Sequence, residues 1–377
     1  MVDAPAAKLF FPADEWRETM SAATRTLRRP QDLVDAGLAP DHARAALDEV
    51  AKRYAIAITP AIADLVAADD LSGPIAAQFV PDVAELKSHP DEADDPIGDD
   101  AHSPVPGIVH RYPDRVLLKP VHVCAVYCRY CFRRTMVGPG KRQTLSPQAL
   151  ATALDYIRAR PEIWEIILTG GDPLVLSPRK LAAIVRTLVA IEHVQVVRIH
   201  TRLPVADPAK ITPALVRAMK ATPKATYVVL HANHARELSP AARAACARMV
   251  DAGIPMLSQS VLLRGVNDDP RALAALMKSF VACRIKPYYL HHADLAPGTS
   301  HFRTSIAQGQ ALMRSLHGRH SGLCQPQYVL DIPGGHGKSP VGPHYLTGSD
   351  SEGYEVTDFR GNQHAYACPA ADTALPR

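Results

Sequence analysis

The sequence predicts an α/β protein organised around a parallel sheet that curls into a partial barrel of six βα units. Two patterns carry that expectation. From residue 115 onward, short β-branched runs alternate with amphipathic stretches of roughly 12–18 residues. Most of those stretches also open on a Ser-Pro or Asp-Pro pair, a capping side chain followed by a proline whose missing N–H is not needed in a first helical turn.

Taken in order, the expected strands are 115–121 (RVLLKPV), 165–170 (EIILTG), 194–201 (VQVVRIHT), 225–232 (ATYVVLHA), 254–263 (IPMLSQSVLL) and 285–292 (IKPYYLHH). Helices are expected between them, opening at Ser146, Ser177, Asp207, Ser239 and Asp269. Such a topology places functional side chains at the C-terminal ends of the strands. Ahead of it, residues 1–88 read as a helical region. Within it, 42–54 (HARAALDEVAKRY) repeats apolar residues every three or four positions, with Asp41 as its cap. Residues 89–107 (HPDEADDPIGDDAHSPVPG) are acidic, aperiodic and rich in Pro and Gly, which reads as a linker. The barrel is expected over 108–320, and the Gly-, Pro- and aromatic-rich stretch 321–377 is expected to form a β-containing cap.

Composition narrows the function classes. With 377 residues, 47% of them hydrophobic and 21% charged, the chain is long enough for a full globular core. A net charge of +4 with no basic stripe argues against nucleic acid as a partner. No charged-then-apolar leader opens the sequence and no apolar run approaches membrane-spanning length, so a cytoplasmic protein is expected. Seven cysteines, an odd number with three clustered, suit a reducing compartment better than a disulfide framework.

Three motifs carry chemistry. In CAVYCRYCFRR (124–134), Cys124, Cys128 and Cys131 follow the first barrel strand with spacing C-x3-C-x2-C. A disulfide uses two thiols and a structural zinc site usually four ligands. Three thiolates on one short loop can hold three irons of a [4Fe–4S] cluster and leave the fourth open to a small molecule. In TGGDP (169–173), at the end of the second barrel strand, Gly170 and Gly171 lack side chains, so backbone groups can approach a ligand. In DIPGGHGKSP (331–340), three glycines precede Lys338 and leave its amine on an uncluttered backbone, able to meet a carbonyl. The spacing of a phosphate-binding P-loop is missing there.

The cysteine motif, its place after strand one and the Tyr130 that precedes Cys131 resemble the radical S-adenosylmethionine enzymes. The ordered series HRYPDRVLLKPVHVCAVYCRYCFRR, HTRLPV, LHANH, QSVLLRGVND, PYYLHHADL, HFRT and VLDIPGGHGKSPV, spanning 105–347, resembles the lysine 2,3-aminomutase family, including the enzymes that make β-lysine for elongation factor P. That resemblance implies a partial (β/α)6 barrel of the radical S-adenosylmethionine type, with a [4Fe–4S] cluster on Cys124, Cys128 and Cys131. It implies S-adenosylmethionine on the open iron, near Gly170, Gly171, Asp172, His231 and Gln259. Pyridoxal 5′-phosphate would be held as an internal aldimine on Lys338, with Arg111, Tyr112 and Arg115 in contact. Arg133 would grip the substrate α-carboxylate, and Asp294 and Asp331 would receive the distal ammonium of L-lysine while repelling glutamate. The implied reaction is radical migration of the amino group from C2 to C3, started by an external electron donor.

The chain also departs from the family. Near the carboxyl terminus Cys368 stands alone, and Asp269 occupies the place of another expected ligand, so no structural zinc is expected and the homo-oligomeric state stays open. Besides a radical methylase or activating enzyme, which would hold the cluster without pyridoxal, two rival readings remain. One is a family member dedicated to elongation factor P or acting on another amino acid. The other is an iron–sulfur electron-transfer or binding protein, which would leave Lys338, Asp294 and Asp331 without a task.

Overall fold

A computed structural model describes residues 23–69, 71–136, 143–349 and 353–367; Cys368 and the first 22 residues lie outside that set. Nine strands form one sheet in chain order: β1 (Ile108–Tyr112), β2 (Arg115–Val121), β3 (Glu165–Gly170), β4 (Val196–Thr201), β5 (Ala225–His231), β6 (Met256–Val261), β7 (Ile285–His291), β8 (Gln327–Ile332) and β9 (Gly337–Pro340). Strands β2 to β8 run parallel, and the outer strands β1 and β9 are antiparallel to their neighbours. All six expected barrel strands are present as β2 to β7.

The sheet does not stop at residue 320. The run QYVLDI forms β8, which pairs with β7 through Tyr289↔Gln327 and Leu290↔Tyr328. A hairpin then turns back into β9 and sets Lys338 opposite Asp331. Residues beyond it form a separate antiparallel sheet of β10 (Leu346–Ser349), β11 (Gly353–Thr357) and β12 (Gln363–Tyr366).

Alternation along each strand separates two environments. Ile166, Leu168, Val197, Ile199, Val228 and Leu230 pack outward against helix residues such as Leu181, Val185 and Phe280. Of the intervening positions, Ile167 and Val229 are buried apolar residues, whereas Arg198 of β4 pairs with Glu165 of β3 at 2.9 Å.

Ser146, Ser177 and Ser239 accept the N–H groups of Ala149, Lys180 and Ala242, as the Ser-Pro signal predicts. Two expected caps are corrected. Asp207 is followed by a single 3-10 turn, Pro208–Lys210, and the helix proper, Pro213–Met219, starts at a second signal of the same kind, Thr212-Pro213. The helix Arg44–Arg53 likewise begins after a 3-10 turn, Asp41–Ala43, so Asp41 makes no side-chain cap.

Residues 89–107 are not a solvated spacer. Asp99 is 3% exposed and Ile97 is buried, and Glu92 pairs with Arg303 at 2.7 Å. The acidic run is ordered because its carboxylates neutralise cations of the barrel. The N-terminal region has its own apolar cluster, which includes Leu33, Ile58, Ile62 and Phe79 and reaches Val126 in the cysteine loop. Among the described residues no helix is long and apolar enough to cross a membrane.

Candidate active site at the mouth of the barrel

The loop after β2 carries the three thiols, and two backbone hydrogen bonds moor it to the N-terminal region. Tyr127 N–H donates to the Ala57 carbonyl at 3.0 Å and Arg129 N–H to that of Gln78 at 2.8 Å. Cys124, Cys128 and Cys131 are unpaired, partly accessible and line one recess with Tyr54, Tyr127 and Arg134. Burial pushes all three thiols up, Cys131 to about 11, and their mutual proximity adds to it for Cys124 and Cys131. Among the described residues no three His, Cys, Asp or Glu side chains converge on a single ion. In a polynuclear cluster each of these thiolates would take its own iron. The cations required to stabilise three thiolates would come from that iron.

Gly170 and Gly171 sit against this loop for a reason the sequence did not show. A Cβ on Gly170, which has φ +110°, would lie 2.5 Å from the Val121 carbonyl oxygen, and one on Gly171 would lie 2.2 Å from that of Val123. The space is filled by the backbone leading into Cys124, to which Gly171 N–H and Asp172 N–H donate at 2.7 and 2.9 Å. The glycines thus fix the cysteine loop on β3. The Asp172 side chain is also engaged within the fold. Its buried carboxylate accepts from Thr201 Oγ1, Arg202 N–H and Leu174 N–H at 2.8–3.0 Å, tying the ends of β3 and β4 together.

His231 ends β5 beside Gln259 of β6. Its Nε2 is 2.9 Å from the Tyr130 hydroxyl, and the two rings stack. Burial, with the charge of Arg202 nearby, keeps the imidazole neutral. His231 and Gln259, both expected near S-adenosylmethionine, are thus neighbours across β5 and β6, and His231 also contacts Tyr130 of the cysteine loop.

A second cluster lies on the β8–β9 hairpin. Lys338 Nζ is 2.6 Å from Asp331 Oδ1, and its backbone N–H donates to the Tyr112 hydroxyl at 2.7 Å. Arg111 reaches within 3.9 Å of the same carboxylate. His291 places Nδ1 3.3 Å from Asp331 Oδ2. Arg115 lies over the Tyr112 ring at 3.9 Å and pairs with Asp114 at 2.6 Å. Asp294 feels Asp331, Lys338 and Arg133 electrostatically; burial first, then the Asp331 charge, pushes its carboxyl up to about 7. His200, from β4, has an inward Nε2 that is buried with no partner among the described residues, and burial beside Arg198, Lys338, His291 and Arg133 holds it neutral.

Asp99 was missed by sequence reasoning. From the supposed linker it accepts Arg133 Nε and Nη2 at 3.1 and 2.7 Å and Arg111 Nη2 at 3.1 Å, and Lys119 lies 4.0 Å away. It orients two of the expected ligand-binding arginines relative to each other. Only its position just ahead of HRYPDR could have signalled this. Asp269, discussed above as a departure, caps the helix Pro270–Ala282 by accepting from Arg271 and Ala272.

Residues 118–277 match the family model described as the radical SAM superfamily. The chain is 39% identical to an L-lysine 2,3-aminomutase of Clostridium subterminale over 84% of this chain and 76% of the relative. It is 35% identical to one of Fusobacterium nucleatum over 98% and 87%. It is also 34% identical to a glutamate 2,3-aminomutase of Clostridioides difficile over 84% and 74%. By these likenesses the chain belongs to the lysine 2,3-aminomutase family of radical S-adenosylmethionine enzymes.

Proposed function

We propose that this enzyme moves the α-amino group of L-lysine to C3, giving β-lysine, with a [4Fe–4S] cluster, S-adenosylmethionine and pyridoxal 5′-phosphate. One observation supports the choice of substrate above all: Lys338 and Asp331 meet at 2.6 Å with Asp294 close enough to be titrated by them. An amine able to hold pyridoxal thus lies beside two carboxylates able to accept an ammonium. Cys124, Cys128 and Cys131 would hold the cluster, and Gly170, Gly171, His231 and Gln259 would flank S-adenosylmethionine. Arg111, Tyr112 and Arg115 would hold the pyridoxal group. The cofactors would supply the radical and the π-system that delocalises it.

The chain's own residues do the remaining work. Arg133, oriented by Asp99, would bind the substrate α-carboxylate as a planar fork. Asp331, kept ionised, and Asp294 would fix the distal ammonium, so that C3 is held in place and water is excluded. A glutamate side chain would meet ionised Asp331 and be repelled, which disfavours the activity named for the Clostridioides relative.

The test is anaerobic incubation of the reconstituted enzyme with S-adenosylmethionine, dithionite and L-lysine, followed by chromatography for β-lysine. Parallel reactions with glutamate, alanine and arginine set specificity. Product from lysine alone supports the reading; product from glutamate and none from lysine overturns it. Lys338→Ala should keep its iron and lose the borohydride-sensitive pyridoxal absorbance, which an iron–sulfur electron carrier would not have had.

A further inference from the structure

We propose that Arg202 is a positioning residue for the iron–sulfur cluster, which donates a charge-assisted hydrogen bond to Cys128 and raises the cluster's reduction potential. The inference rests on the reading of the three thiols as cluster ligands and is independent of the substrate.

Arg202 follows β4 in HTRLPV, a motif to which the sequence assigned no role. It is 7% exposed. Nη1 lies 3.2 Å from Cys128 Sγ and also contacts the Tyr130 hydroxyl. Nη2 donates to Gln78 Oε1 at 2.8 Å and to Glu237 Oε2. Glu237 is itself fully buried and fixed, accepting the N–H groups of Asn233 and His234 at 2.8 and 2.9 Å and the Gln78 amide at 3.2 Å. The Arg202 backbone is pinned on Asp172 at 2.8 Å, and the guanidinium carbon lies 4.6 Å above the Phe79 ring. Both terminal nitrogens are therefore committed, and the fork cannot swing away from the sulfur.

Balancing Glu237 does not account for this geometry. The ion pair uses Nη2, whereas the sulfur takes Nη1. Among the described residues a charged side chain, Arg202, is aimed directly at the sulfur of Cys128. Reduction adds negative charge to a cluster, and part of it resides on the ligating sulfurs. A positively charged donor stabilises the reduced form more than the oxidised one, so the potential rises. A residue fixed before reduction needs no rearrangement when the electron arrives.

The experiment uses the full chain, reconstituted anaerobically and assayed for iron, with the cluster followed by paramagnetic resonance during a redox titration. Arg202→Lys keeps the charge but loses the planar fork. The double variant Arg202→Gln, Glu237→Gln removes both charges and leaves neither buried alone. With iron content equal to the parent, both should titrate at a more negative potential, with altered g values. An unchanged potential and spectrum would make Arg202 purely structural and overturn the proposal. The parent protein gives a reading that needs no variant to fold. With arginine labelled by nitrogen-15 in the guanidinium, pulsed resonance of the reduced cluster should show a nitrogen-15 coupling, and its absence overturns the proposal. If the parent binds no iron, the reading of the thiols falls and takes this inference with it.

Discussion

Asp294 and Asp331 share a pocket yet are driven in opposite directions. Burial alone would raise both carboxyls. At Asp331 the hydrogen bonds and charges of His291 and Lys338 outweigh it and hold the group well below the ordinary carboxylate range. At Asp294 burial and the Asp331 charge prevail and carry it to about 7. Between the ordinary carboxylate value and 7, the folded protein keeps a proton that the unfolded chain releases, so stability falls as pH rises through that window. Asp294→Asn should remove the slope. At pH 8 the unliganded variant should be more stable than the parent, by on the order of a few kcal/mol, and the difference should vanish near pH 4 in urea titrations. On the proposed function, lysine binding would have the opposite dependence, because the ammonium would need the ionised carboxylate. Parent KM for L-lysine should rise as pH falls from 8 to 6, whereas that of Asp294→Asn should be high and flat. Asp294, just after β7, and Asp331, within β8, were legible in the sequence because each lies in a stretch that resembles a known family. Asp99 and His291 were not, since their importance lies in partners distant in sequence, Arg133 and Asp331 respectively.

Local signals worked at the level of elements where one residue could satisfy one backbone group. Ser146, Ser177 and Ser239 cap as their Ser-Pro pairs predict. Asp207-Pro208 carries the same signal, yet the chain makes only one tight turn before Thr212-Pro213 starts the helix. Two equivalent signals in succession cannot be ranked from sequence alone. The basic pair after Cys131 hides a larger tertiary element. Glu85, fully buried on the turn Val83–Leu86, accepts Arg129 Nε at 2.9 Å and Nη2 at 2.5 Å, and also pairs with Arg134. Arg129 lies inside the cysteine motif and Arg134 just after it, so this carboxylate clamps the loop to the N-terminal region. Glu85→Gln would leave two buried guanidiniums without a counter-charge. Breaking one partner out of such a network costs about 3–5 kcal/mol. The variant should melt earlier and lose iron on gel filtration, whereas substitution of the exposed Glu49, which pairs with Lys52 on the surface, should do neither.

The barrel as a whole was legible from its βα rhythm, but its closing edge was not. Strands β8 and β9 lie in a stretch whose Gly and Pro content resembles irregular chain, and only the fold shows that they extend the sheet. Its antiparallel edges, β1 and β9, meet through the Tyr112 hydroxyl, which accepts the Lys338 N–H at 2.7 Å. Gly337 makes that approach feasible: at φ +89° a Cβ there would lie 3.0 Å from the same hydroxyl oxygen. Arg111 of β1 reaching toward Asp331 of β8 is a second tie across the gap. Lys338 is thus held by the seam itself, and its placement depends on the sheet's two ends staying together. Tyr112→Phe removes the acceptor and leaves the Lys338 N–H unsatisfied, at a net cost of about 1 kcal/mol. If the seam positions the amine, that loss is local. Exchange of the backbone amides of β9 should quicken by roughly fivefold to tenfold with the global melting temperature nearly unchanged, and pyridoxal should be retained less tightly at equal iron content. Unaltered exchange at Lys338 would mean that β9 is held by its pairing with β8 alone, and that the contact with Tyr112 contributes nothing to where the amine stands.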